Sequence, residues 1–264
     1  MTSEEMEKKI NEYRRNELKD NETFKFECKE NCGMCCYRPG NPVLINGVDV
    51  YYAAKALGMS AMSFMRTYCV PPYLGESSKL PCITLDIRRD GFCKLLNEKK
   101  QCSIHTSKPT VCALFPLGRM YENNIKNSED SRYIYFTQPD MNLDCVVNAT
   151  KSQTLKEWKD AFSIEKRDCE TAAWNSLLER LIEERSILEK LCEYDKSDDD
   201  DKDKALAATA LEACFVRAFV AMYVYNPAKP LLPQIKLLQE TVEEELSELR
   251  ADFEDLQLAV AKAN

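Results

Sequence analysis

Ten of the thirteen cysteines lie between Cys28 and Cys145, and this crowding is the feature of the sequence best suited to chemistry. Four of them fall within nine residues, at Cys28, Cys32, Cys35 and the adjacent Cys36. Thiolates are soft ligands that select zinc, copper(I) or iron–sulfur units over hard cations. A short loop can bring several of them onto one metal, and Gly33 supplies the conformational freedom for a tight turn between them. This first group therefore predicts a metal site.

A second group of cysteines is spread more widely along the chain. The two groups together give the predicted metal ligands: Cys28, Cys32, Cys35, Cys36, Cys93, Cys102, Cys112 and Cys145. Two groups of four suit either two tetrahedral sites or one polynuclear site. Neighbouring side chains diverge, so the pair Cys35 and Cys36 favours separate or shared metals over one mononuclear ion. Zinc or iron, including an iron–sulfur cluster, is the expected cofactor, and Cys82 and His105 stay open as further ligands.

The elements that must position these cysteines follow from composition. Prolines are concentrated in the cysteine-rich half, and only seven glycines occur in 264 residues, which favours a mainly α fold. Residues 117–121 and 131–137 are rich in β-forming residues and predict a small β-hairpin. From about residue 152 onward, apolar residues recur at helical spacing. The sequence thus predicts an irregular cysteine-rich metal-binding domain over 21–150, followed by a helical domain over 151–264.

The last predicted helix, from about 232 to 262, carries an apolar stripe that needs a partner surface. The stripe consists of Ile235, Leu238, Val242, Leu246, Leu249, Phe253, Leu256 and Val260. The apolar segment 205–225 of the same chain could cover it. A protein partner or a homodimer through this C-terminal helix is the alternative.

Charge and motif content exclude several classes of protein. The net charge of -8 argues against a nucleic-acid binder, since phosphate contacts need clustered Lys and Arg. Segment 205–225 has the length of a membrane span, but Glu212 and Arg217 would each cost roughly 2.5–3.5 kcal/mol at a bilayer centre. We therefore expect a cytoplasmic protein with no membrane or nucleic-acid partner. A single histidine rules out hydrolase sites built from several histidines.

The cysteine spacing resembles that of the YkgJ-like cysteine-cluster family. The likeness rests on the first group, on residues 90–96, and on the segment from Cys102 to Cys112, and it covers about residues 24–148. It implies a zinc- or iron-chelating domain. His105 stands where the family usually has Tyr, Lys108 stands where it has Arg, and the first group is one residue longer than the common form.

Three functions stay open at this point. The first is a binding protein that chelates zinc or iron, and the second is an iron–sulfur protein in electron transfer. Flagellin lysine-N-methylases carry a related cysteine cluster, so the resemblance also leaves room for a protein-modifying enzyme.

Overall fold

The computed structural model describes residues 2–29, 32–37, 42–71, 73–74, 81–122, 132–138, 141–194 and 215–263. The helices are α1 (Ser3–Arg15), α2 (Gly47–Leu57), α3 (Ala61–Tyr68), α4 (Thr110–Leu114), α5 (Asp144–Val147), α6 (Leu155–Ala161), α7 (Ile164–Tyr194) and α8 (Leu231–Ala263). The strands are β1 (Glu17–Leu18), β2 (Thr23–Lys25), β3 (Leu44–Ile45), β4 (Tyr73–Leu74), β5 (Pro81–Thr84), β6 (Leu117–Glu122), β7 (Arg132–Thr137) and β8 (Ser152–Thr154). Residues 215–221 are also helical. The predicted fold class, mainly α with small β elements, is confirmed.

The chain folds into two compact units, and both are discontinuous in sequence. Unit 1 comprises Met1–Gly40 and Ile87–Lys166, and unit 2 comprises Asn41–Asp86 and Arg167–Asn264. The division that we predicted at 150/151 differs from this one mainly in residues 41–86. These residues pack with the C-terminal part of the chain, for example where the Tyr225 hydroxyl donates to the Gly47 carbonyl oxygen at 2.9 Å.

Unit 1 is built around a β-hairpin. Strands β6 and β7 pair antiparallel from Leu117 opposite Thr137 to Glu122 opposite Arg132, and β1 adds to the other edge of β7. The two strands of the predicted hairpin are confirmed, while their connection at 123–131 lies outside the described residues. A second pair, β2 with β8, closes onto a core of ten buried side chains that includes Phe26, Leu155 and the thiol of Cys145. One predicted ligand thus lies within the core itself.

Helix ends follow signals that the sequence carries. The predicted capping box at the start of α6 is confirmed, since the Thr154 hydroxyl accepts from the Glu157 N–H and the Glu157 carboxylate accepts from the Thr154 N–H. Helix α2 ends at Gly58, which adopts the left-handed conformation that favours glycine. These local contacts need no tertiary partner, which is why the sequence predicts them.

Unit 2 packs α2, α3, α7 and α8 around buried aromatic residues. Trp174 of α7 is fully buried, and its indole lies so close to Gly47 that an added Cβ there would approach the ring to 2.1 Å. Arg250 of α8 donates to the buried carboxylate of Glu184 in α7, which also accepts from Arg180 of its own helix. Gly47 is therefore the residue that lets α2 lie directly against α7.

The apolar stripe of α8 is covered within the chain over its first half. Its members Ile235, Leu238, Val242 and Leu246 are buried in unit 2. Arg217, from the helical segment 215–221, forms ion pairs with Glu245 and Glu248 of α8, at 2.8 and 3.3 Å. The stripe's later side chains lie outside the described residues, so a homodimer through this helix stays a prediction.

Across the described ranges, no helix is both long and apolar enough to cross a membrane.

Candidate metal centre

The first cysteine group lies on a tight turn. Gly33 has φ +60°, in the left-handed region, and begins a short 3-10 helix over Met34–Cys36. The Cys36 N–H donates to the Gly33 carbonyl oxygen at 3.0 Å, and the Tyr37 N–H donates to that of Met34 at 3.2 Å. This turn places the sulfur atoms of Cys35 and Cys36 3.8 Å apart. The two side chains thus lie closer together than the divergence expected for neighbouring residues.

Backbone contacts bring the second group to this turn. The Cys93 N–H donates to the Cys36 carbonyl oxygen at 2.9 Å, and Tyr37 pairs with Phe92 in an isolated antiparallel bridge. A second bridge, between Leu96 and Cys102, folds the segment back on itself so that Cys102 returns toward Cys93. Cys93 is buried and Cys102 half-buried. Two predicted ligands are therefore held beside Cys36 by the main chain.

Cys145 reaches the site from the opposite side of the loop. The Glu27 N–H donates to the Cys145 carbonyl oxygen at 3.0 Å, one residue before Cys28. The Lys29 ammonium donates to the carboxylate of Asp144, which precedes Cys145 in α5. Cys145 is itself one of the buried residues that form the core of unit 1. These two contacts hold Cys145 next to the start of the first cysteine group.

Burial works against ionisation of these thiols. It is the largest cause of the raised pKa of Cys28, Cys93, Cys102 and Cys145. Other thiolates of the group raise each of these pKa values further. Several thiolates can therefore share this space only when positive charge compensates them.

Hydrogen bonds favour the thiolate form at particular sulfurs. The backbone N–H of Leu95 lowers the pKa of Cys93, and that of Ile104 lowers the pKa of Cys102. In both cases the donor lies two residues after the cysteine. Hydrogen bonds to sulfur of this kind orient thiolates and tune bound metals. Cys93 and Cys102 thus share one local geometry.

A hydrogen bond joins the thiols of the adjacent pair, Cys35 and Cys36. A hydrogen bond with Cys36 is the largest cause that lowers the pKa of Cys35, to about 6, and burial opposes it. The same hydrogen bond is the largest cause that raises the pKa of Cys36. Cys35 is therefore the sulfur of the pair that ionises first.

Lys108 supplies positive charge to the group, a role that sequence reasoning missed. Its ammonium lowers the pKa of Cys28, Cys35 and Cys102. Its Nζ lies 4.7 Å from the ring centroid of Phe162. The sequence did offer one indication of this role, because Lys108 lies between two predicted ligands, Cys102 and Cys112.

The predicted ligands are distributed unevenly in the structure. Electrostatic interactions connect seven of them, and all seven lie in unit 1: Cys28, Cys32, Cys35, Cys36, Cys93, Cys102 and Cys145. Cys112 is half-buried in α4 of the same unit. Of the two candidates left open, Cys82 belongs to β5 of unit 2, whereas His105 belongs to unit 1 and its ring meets that of Phe162 edge-on at 6.4 Å.

The donor set fits a soft metal ion. Clustered thiolates with hydrogen-bonded sulfurs are typical ligands of zinc and iron. Among the described residues, no group of three or more His, Cys, Asp or Glu side chains is arranged to enclose a metal ion. The described cysteines therefore lie in one unit without three of them converging on one point.

This arrangement defines a protein with a cluster of cysteine thiols gathered in one unit. A family model described as "Putative zinc- or iron-chelating domain", of the CxxCxxCC type, matches residues 27–170, more than half of the chain. The chain belongs to this family, which confirms the resemblance seen in the sequence. No curated protein and no solved structure matches the chain.

Proposed function

We propose that unit 1 binds zinc or iron through its clustered cysteines, drawn from the eight predicted ligands. The observation that carries this proposal is that backbone hydrogen bonds hold the segments of Cys93 and Cys145 against the loop that carries the first cysteine group. Cys28 to Cys36 come from the loop, Cys93 and Cys102 from the bridged turn, and Cys145 from α5. A bound cation would offset the repulsion among thiolates that the fold holds in one unit.

Metal binding would also hold unit 1 together. Outside the β6–β7 hairpin its strands are two or three residues long, and its bridged turn between 87 and 104 has isolated bridges instead of a continuous sheet. A metal ion bound by cysteines of the loop and by a cysteine of the bridged turn or of α5 would cross-link segments that are remote in sequence. The free energy of binding would then contribute to folding, as it does in small metal-dependent domains.

A reducing compartment suits this chemistry. The sulfur atoms of Cys35 and Cys36 lie 3.8 Å apart, in hydrogen-bonding contact and not in a disulfide. Cytosolic glutathione and thioredoxin keep thiols reduced and available to metals. We place the protein in the cytoplasm on this basis.

Anaerobic purification of the full chain, followed by elemental analysis and an absorption spectrum, tests the proposal. Colourless protein with bound metal would indicate zinc, visible charge-transfer absorption would indicate iron, and acid-labile sulfide would identify an iron–sulfur cluster. If the protein, reduced and incubated with zinc or iron(II), holds neither after gel filtration, the proposal is wrong.

A further inference from the structure

Cys35 and Cys36 are adjacent in sequence, and their thiols are in contact. Their sulfur atoms lie 3.8 Å apart, although the side chains of neighbouring residues ordinarily diverge. The 3-10 turn over Met34–Cys36 holds them there, with the Cys36 N–H donating to the Gly33 carbonyl oxygen at 3.0 Å. A disulfide bond is about 2.05 Å long, so the two sulfurs need to approach each other by only about 1.8 Å to form one.

The two thiols differ in their access to solvent. Cys35 is exposed, whereas Cys36 is half-buried. Met34, on the same turn, is also exposed. A small oxidant in solution therefore reaches the Cys35 sulfur first, and the Cys36 thiol lies beside it. Redox-sensing cysteines often combine an accessible sulfur with a neighbouring thiol that resolves the oxidised form.

A disulfide between sequence neighbours is easily reversed. Consecutive Cα atoms across a trans peptide are about 3.8 Å apart, whereas the Cα atoms of a disulfide are usually about 4.4–6.8 Å apart. A disulfide that spans a single peptide bond is therefore strained, and strain makes it more reducible. Strained or exposed disulfides are the labile and regulatory ones. Such a bond can form and reopen in a compartment that keeps other thiols reduced.

We propose that Cys35 and Cys36 form a reversible redox pair, which a hydroperoxide closes to a disulfide and a small thiol reopens. In the first step, the Cys35 thiol and hydrogen peroxide give a sulfenic acid and water. The Cys36 thiol then attacks that sulfur, so that the S–S bond forms and a second water leaves. The two thiols together give up two electrons and two protons. Two molecules of a thiol such as glutathione reverse the change and become a disulfide themselves.

Closing the pair would also remove two of the predicted metal ligands. The thiolate is the form of cysteine that binds metal, and a disulfide contains none. Oxidised protein would therefore load zinc poorly until the pair is reduced. This consequence rests on the proposed metal-binding function, whereas formation of the disulfide does not.

Peptide mapping of the full-length wild-type protein tests the redox pair. Metal is removed anaerobically, the reduced protein is treated with a small excess of hydrogen peroxide, and the remaining thiols are alkylated before digestion and mass spectrometry. We expect Cys35 and Cys36 to escape alkylation together, in a peptide that has lost two hydrogen atoms. A phosphine reductant should restore alkylation of both. If both stay open to alkylation after peroxide, or if either is linked to a third cysteine, the inference is wrong.

Variants assign the two roles within the pair. In Cys36→Ser, the sulfenic acid of Cys35 lacks its neighbouring thiol and should be trapped by dimedone. In Cys35→Ser, the half-buried Cys36 should take up much less dimedone. Cys169→Ser, at an exposed thiol of unit 2, is the control and should form the disulfide as the wild type does. Equal dimedone labelling of the first two variants would overturn the order of attack.

Zinc binding separates failure of the redox pair from failure of the proposed function. Reduced protein should retain zinc after gel filtration, peroxide-treated protein should retain less, and the phosphine should restore the original amount. Equal zinc in the oxidised and reduced proteins would overturn the link between the pair and the metal centre. If the reduced protein binds neither zinc nor iron(II), the proposed function fails, and the peptide map still decides whether the disulfide forms.

Discussion

Gly33 lies directly against Leu96. A Cβ atom at Gly33 would lie 3.0 Å from Cδ2 of Leu96 and 3.3 Å from the Cβ of Lys100. The loop that carries the first cysteine group therefore packs on the turn that carries Cys93 and Cys102 more closely than a larger residue would permit. Since Gly33 also has φ +60°, both its conformation and its contact favour glycine.

Replacement of Gly33 should weaken metal binding, although Gly33 is not itself a predicted ligand. In Gly33→Ala the left-handed conformation costs about 1–2 kcal/mol. The added methyl group also pushes the two cysteine segments apart. We expect zinc affinity to fall by at least roughly tenfold, the equivalent of about 1.4 kcal/mol, in a competition titration against a chromophoric chelator.

Gly58→Ala is the matched control for this substitution. Gly58 has φ +64°, but a Cβ there meets no atom within 4 Å. It carries the same backbone strain without the contact, and it ends α2 in unit 2. This variant should lose stability and keep its zinc affinity. Equal zinc affinities for Gly33→Ala and the wild type would mean that the loop and the turn need not approach each other for binding.

Removal of the Lys108 charge should move metal binding to higher pH. Lys108 lowers the pKa of Cys28, Cys35 and Cys102, so in Lys108→Gln these thiols ionise at higher pH. Fewer thiolates are then present at a given pH, and the pH at which half the protein is loaded should rise. At neutral pH we therefore expect zinc affinity to fall.

Lys108→Arg keeps the charge and should retain the wild-type pH profile. Zinc loading measured between pH 5 and 8 in the three proteins distinguishes the charge from the shape of the side chain. A superimposable profile for Lys108→Gln would show that Lys108 does not compensate the thiolates.

The two tryptophans report separately on the two units. Trp158 packs edge-on against Phe26 at 5.4 Å between ring centroids, two residues before Cys28. Trp174 is buried in unit 2. In Trp174→Phe, the remaining Trp158 should shift its emission to longer wavelength when a chelator removes the metal. In Trp158→Phe, the emission of Trp174 should not change, and a shift there would mean that metal loss unfolds both units together.

The ion pair between Glu17 and Arg132 should stabilise unit 1 above acidic pH. Arg132 donates to both carboxylate oxygens of Glu17, and this hydrogen bonding is the main reason that the pKa of Glu17 falls from 4.5 to about 2. A depressed pKa adds stability above the unfolded-state value, and that stability is lost as pH falls through the folded value. The effect therefore disappears between about pH 4.5 and pH 2.

Glu17→Gln should remove this pH dependence. We expect a loss of about 1 kcal/mol at pH 6, because the Arg132 side chain is half exposed and solvent screens the pair. The loss should shrink toward zero at pH 2. Urea unfolding of metal-free protein at each pH checks this without interference from acid release of metal. A difference between the two proteins that stays constant with pH would show that the carboxylate charge is not involved.

Sequence alone determined the ligand types and much of the local structure. The spacing of the cysteines predicted a thiolate metal site and the family, because ligand identity is fixed by residue type. The hairpin strands of β6 and β7 and the capping box at Thr154 were also predictable, since their contacts lie within a few residues or between adjacent strands.

Only the tertiary structure decided how distant segments combine. Residues 41–86 leave the cysteine-rich half to pack with α7 and α8, through close contacts such as that of Gly47 with Trp174. The division of the chain into two discontinuous units therefore could not be read from composition. The approach of Cys35 to Cys36, against the expected divergence, depends on the left-handed turn at Gly33. Such turns and long-range contacts depend on the whole fold, and spacing along the chain does not encode them.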